Sequence, residues 1–96
     1  MERLKGLALK LLAALPPEPN GLSIHELADG LLGGRDPQRR GRIRGALEEV
    51  AGALGYLYER QGDVPEFGRY AVTLYGIPSH KAEGVKTFLA KRDACA

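Results

Sequence analysis

Five arginines fall within ten residues, Arg35, Arg39, Arg40, Arg42 and Arg44, against a single acid, Asp36. A guanidinium pairs with phosphate, and in the major groove of DNA it reads the O6 and N7 acceptors of guanine. Together with Gln38 beside them and Arg69 further along, these arginines form the candidate nucleic-acid-binding set. The alternative is a solvated basic helix end in a chain rich in arginine and glycine. Cations near a helix N-terminus oppose the helix dipole at about 0.3–1 kcal/mol each. The cluster therefore costs stability, which favours a binding purpose.

Other reactive side chains build no site in the sequence. His25 and His80 are far apart, lack partners at metal-ligand spacing and read as polar surface positions. Ser23 and Ser79 have no nucleophile-elbow context, and both read as helix caps. Asp36 is better placed as a cap than as a base. Gly33-Gly34 lacks the Lys-Ser/Thr that completes a phosphate-binding loop. No catalytic residue, metal, cofactor or small-molecule site is evident, and the chain is not expected to be an enzyme. Cys95 is the only cysteine, so no intramolecular disulfide is possible and cytoplasm is the expected compartment. Met1 to Leu15 does not read as a signal peptide, because Lys10 interrupts its apolar run. No stretch approaches the roughly 20 apolar residues of a membrane span.

The elements that must position the arginines are legible from spacing and caps. Leu4, Leu7, Ala8, Leu11, Leu12 and Leu15 repeat at helical intervals and predict a helix over about 2–15. Pro16-Pro17-Glu18-Pro19-Asn20-Gly21 ends it as an extended linker or turn. Ser23 and Glu26 form a capping box for a short second helix carrying Ile24, Leu27, Ala28 and Leu31, closed by Gly33-Gly34. Asp36-Pro37 starts a third helix over 37–54, with Ile43, Leu47, Val50 and Leu54 as its buried stripe and Gly55 as its stop. Around Ile43, Arg42 and Arg44 fall about 100° to either side, with Gly41 and Gly45 between them on the outer face. Gly41, Gly45 and Gly52 share that face, from close approach of another backbone or from composition alone.

Tyr56 to Arg60 and Arg69 to Tyr75 read as two strands, with Gln61 to Gly68 as the hairpin loop. Tyr56, Tyr58, Tyr70 and Tyr75 then lie on the hairpin, either packing across it or stacking on a partner. Ser79 caps a last helix over about 80–92, with Ala82, Val85, Phe88 and Leu89 on its apolar side. The expected class is mainly α with a small β-hairpin (α+β).

The order of helix, linker, helix, tight turn, longer helix and hairpin resembles the bacterial winged helix-turn-helix family. Gly21-Leu22-Ser23-Ile24-His25-Glu26-Leu27-Ala28 looks like that family's approach to its second helix. Leu54-Gly55-Tyr56-Leu57-Tyr58-Glu59-Arg60, with Gly68-Arg69-Tyr70-Ala71-Val72-Thr73, looks like the end of its recognition helix and its wing. The resemblance covers about residues 2–75 of a single domain spanning 1–96. It departs from the family in a longer Gly33–Ile43 segment, an extra residue between Val50 and Gly55, and acids, Asp63 and Glu66, at the wing tip.

The resemblance implies a double-stranded DNA-binding protein, a small regulator of transcription or of a mobile element, with helix 3 in the major groove. It also implies that the last helix pairs two chains into a homodimer; folding back over helix 1 is the other expectation. The alternative function is a protein–protein interaction module on the same scaffold without DNA binding. The net charge of only +2, the acidic wing and the glycine face favour that alternative.

Overall fold

In the computed structural model, which describes residue 1 and residues 3–63 and 71–95, the order is α1 (Leu7–Ala14), α2 (Ile24–Leu32), α3 (Pro37–Leu54), β1 (Tyr58–Asp63), β2 (Ala71–Gly76) and α4 (Ser79–Cys95). This is the α+β layout of a winged helix.

Helices α2 and α3 begin and end at the signals the sequence carries. Ser23 Oγ accepts from the Glu26 N–H at 3.1 Å, and the Glu26 carboxylate accepts from the Ser23 N–H, completing the capping box. Gly33 closes α2 in the left-handed conformation, at φ 75°. Asp36 caps α3 by accepting from the Arg39 N–H at 3.2 Å, with Pro37 behind it, and Gly55 at φ 93° ends it.

Helix α1 is shorter than its apolar pattern predicts. Gly6 adopts φ 56°, a region costly for any residue with a Cβ, and the helix starts only after it. Leu4 is nevertheless buried, so the segment before the helix also seals the core.

The stripe Ile43, Leu47, Val50 and Leu54 is buried, joined by Ala46. It packs with Ala8, Leu11, Leu12, Leu27 and Ala28 from the first two helices. Leu57 and Ile77 close the core from the hairpin side.

The hairpin also departs from expectation. Tyr56 and Leu57 precede β1, and β1 continues through Gln61, Gly62 and Asp63, which the sequence assigns to the loop. Pairing to β2 decides this: Gln61 lies opposite Thr73 and Gly62 opposite Val72, and the Gln61 amide donates to Thr73 Oγ1 at 3.1 Å. Residues 64–70, with Pro65, Glu66, Arg69 and Tyr70, lie outside the described residues.

The linker after α1 runs along β2. Leu22 and Tyr75 exchange two backbone hydrogen bonds of 2.9 Å, and the Ile77 N–H donates to the Pro16 carbonyl at 2.8 Å. Gly76 is where these chains meet: a Cβ there would lie 2.5 Å from the Asn20 carbonyl oxygen and 2.9 Å from that of Pro16. Gly76→Ala is therefore expected to cost about 1–3 kcal/mol, as overpacking against backbone does, and urea denaturation would read it. A loss under about 0.5 kcal/mol would mean that linker and strand are not pinned together there.

Ser79 is the first residue of α4 rather than its cap. Its N–H donates to the carboxylate of Glu18, which supplies the cap from the linker. Val85 is buried, and Ala82, Phe88 and Leu89 are half-buried against the core. The apolar side of α4 is thus largely occupied within the chain. Among the described residues, no helix is long and apolar enough to cross a membrane.

Candidate nucleic-acid interface

The first turn of α3 follows a tight α2–α3 connection, and that connection consumes one of the candidate arginines. The Arg39 guanidinium lies over Gly34, donates from Nε to the Leu32 carbonyl at 3.0 Å, and pairs through Nη1 with the Asp36 carboxylate. Arg39 thereby satisfies an otherwise open carbonyl at the end of α2 and ties it to the cap of α3.

Arg35 is 3.6 Å from the Asp29 carboxylate. Arg40 turns toward α2, half-buried, with Nη1 3.4 Å from His25 Nε2. Its Nε–H is buried without a hydrogen-bond partner among the described residues. His25 is therefore half-buried against α3, where the sequence suggests a surface position.

The Arg39 guanidinium holds the Asp36 carboxyl below its ordinary value, first through the side-chain hydrogen bond and then through the Arg39 N–H. Because the folded-state pKa is depressed, the stability contributed is present above the ordinary carboxylate range and is lost as pH falls through the folded value. Asp36→Asn keeps a capping oxygen and removes the charge. Its acid-unfolding limb is expected to be shallower than that of the wild type, measured as stability against pH. Identical limbs would show that Asp36 is not linked to folding.

Gln38, Arg42 and Arg44 are exposed. Arg42 and Arg44 stand on opposite flanks of α3. Arg42 faces a groove shared with Lys5, Leu7, Ala8 and Glu49, while Arg44 faces Ile24, Glu59 and Tyr75. Between them Gly41 and Gly45 present bare backbone, and a Cβ at either would meet none of the described residues within 4 Å. Among the described residues nothing requires glycine at these positions, although each costs about 0.8–1 kcal/mol relative to alanine in a helix interior.

The structure thus separates the sequence-derived set. Gln38, Arg42 and Arg44 are presented outward, Arg39 and Arg40 are engaged with the fold, Arg35 is paired to Asp29, and Arg69 lies outside the described residues. Lys5 joins Arg42 only because the segment before α1 lies beside α3, and no sequence spacing signals it.

Further along the same outer face the sign of charge reverses, with Glu48 and Glu49 exposed. Tyr56 is off the hairpin, stacked on His80 with ring centroids 5.4 Å apart and its hydroxyl 3.1 Å from Nδ1. Among the described residues, no group of three His, Cys, Asp or Glu is placed to hold a metal. Compared with protein-family models, with curated proteins and with solved structures, the chain matches none.

Proposed function

We propose that this protein binds double-stranded DNA through the N-terminal half of α3, as a small regulator of transcription or of a mobile element. One observation carries this: two exposed arginines flank a ridge of bare helix backbone, at Gly41 and Gly45, where a Cβ would meet none of the described residues within 4 Å. Such a ridge lets a duplex come close, while Arg42 and Arg44 reach phosphates or base edges on either side. Gln38, one turn nearer the helix start, adds an amide that can pair with an adenine edge. Lys5 extends the positive flank beside Arg42.

The test is binding of the full chain to a random-sequence duplex over a range of salt concentrations. Affinity should fall as salt rises, since each neutralised phosphate releases counterions.

A protein-interaction module on the same scaffold is the second proposal. Exposed Glu48 and Glu49 favour it, because they would repel a duplex lying along the whole helix. A homodimer formed through α4 would have to use what the core leaves of its apolar side, the half-buried Phe88 and Leu89.

A further inference from the structure

The flank of α3 that carries Arg44 borders a cleft of about 430 Å³. This is within the roughly 300–1,000 Å³ of small-molecule sites. Arg44, Leu47, Glu48 and Ala51 contribute one stripe of α3 at helical spacing. Glu59 and Tyr75 face it from the hairpin, where they lie directly opposite one another and so share a face. Ile24 and Leu57 complete an apolar floor, and Tyr56, 50% exposed, stands at the rim.

The charges around this floor are mixed and uncommitted. Among the described residues no salt bridge forms at Arg44, Glu48 or Glu59. Arg44 and Glu48 are one helical turn apart, in the less favourable order for an internal pair, with the cation nearer the helix N-terminus. The Tyr75 hydroxyl sits within electrostatic reach of both sides of the cleft. Burial raises its pKa, Glu59 raises it further, and Arg44 pulls it back.

Each simpler occupant conflicts with one part of the lining. A phosphate would meet Glu48 and Glu59, a plain cation would meet Arg44, and a plain hydrocarbon would leave all three charges unused. We propose that the cleft binds a small zwitterion of the α-amino-acid class with a branched apolar side chain. Its carboxylate pairs with Arg44, its ammonium lies between Glu48 and Glu59, and its side chain rests on Ile24, Leu47, Ala51 and Leu57. This site does not depend on duplex binding, although Arg44 is common to both.

The test uses the full, isotope-labelled chain without DNA. L-leucine is titrated while the backbone amide signals of Arg44, Glu48, Glu59 and Tyr75 are followed by NMR. Two half-ligands are titrated alongside: 4-methylpentanoate, which has only the carboxylate, and isopentylamine, which has only the ammonium. Leucine should give saturable shifts clustered at these residues, and either half-ligand should bind about tenfold more weakly or worse, the loss expected for one charge-assisted hydrogen bond. Arg44→Gln should weaken leucine about tenfold and leave isopentylamine unweakened or bound more tightly, since a like charge is removed. Glu48→Gln with Glu59→Gln should weaken leucine and leave 4-methylpentanoate unweakened or bound more tightly, since two like charges are removed.

Absence of saturable shifts with leucine, or half-ligands binding as well as leucine, would overturn the proposal. So would shifts produced only by a lysine-containing peptide amide, which would make the cleft a docking site for a basic segment. If a variant fails to fold, the comparison of leucine with its half-ligands on the wild-type chain still decides. A protein that binds leucine but no duplex would separate this site from the proposed function.

Discussion

Leu47→Ala should destabilise the fold by about 2–5 kcal/mol. Leu47 is 4% exposed on the stripe that carries Ile43, Val50 and Leu54, and it belongs to the cluster that joins α3 to Leu27 and Leu57. Removing its branched end subtracts apolar contact and leaves a void that close-packed neighbours fill only in part. Leu47 also borders the open cleft beside Arg44, where water can enter the space left behind. The lower half of that range is therefore expected. Glu49→Ala, exposed on the same helix, is the control and should shift stability by no more than about 0.5 kcal/mol. Urea unfolding followed by circular dichroism reads both, and an unchanged dependence on denaturant would confine the effect to stability. A loss below about 0.5 kcal/mol at Leu47 would mean that α3 turns another face to the core.

The face of α3 was legible because its signals are local. Asp36, Pro37, Gly55 and the spacing from Ile43 to Leu54 act within one helix, as do Ser23, Glu26 and Gly33 for α2. Features set by distant partners were not legible. The cap of α4 comes from Glu18, 61 residues before Ser79. Gln61, Gly62 and Asp63 are poor strand formers by type, and they are strand only because β2 pairs with them. Gly6 shortens α1 through a backbone angle that no apolar pattern encodes.

The same division runs through the candidate site. Clustering of the arginines was visible, and so was the placement of Arg42 and Arg44 on opposite flanks of the Ile43 stripe. Their unequal availability was not, since it depends on the Leu32 carbonyl that holds Arg39 and on His25 beside Arg40. Nor does any spacing connect Arg44 and Glu48 with Glu59 and Tyr75. The cleft they share exists only once the fold brings the hairpin beside α3.

Replacing both Arg42 and Arg44 with alanine should flatten the salt dependence of duplex binding while barely altering stability. Each phosphate neutralised contributes about −0.9 to the slope of log affinity against log salt concentration. Two phosphate contacts, from Arg42 and Arg44, give a slope near −1.8, and the double variant should lose up to about that much. Four contacts, including Arg39 and Arg40, would give about −3.6. The smaller value is expected because Arg39 is held by Asp36 and the Leu32 carbonyl, and Arg40 is half-buried against His25. A slope steeper than −1.8 that persists in the double variant would point to Lys5 and the other cations. A flatter wild-type slope with affinity still lost on substitution would mean that one arginine reads a base edge rather than a phosphate. Asp63→Ala with Glu66→Ala should leave binding unchanged or strengthen it, since a carboxylate repels phosphate. Fluorescence anisotropy on a labelled random duplex measures all of these, with thermal melting of each variant to confirm that both exposed arginines are dispensable for folding. No salt-sensitive binding by the wild-type chain at low ionic strength would sink the DNA proposal. The bare ridge at Gly41 and Gly45 would then more naturally admit a partner helix, and the exposed acids further along α3 would mark the rest of a protein-facing surface.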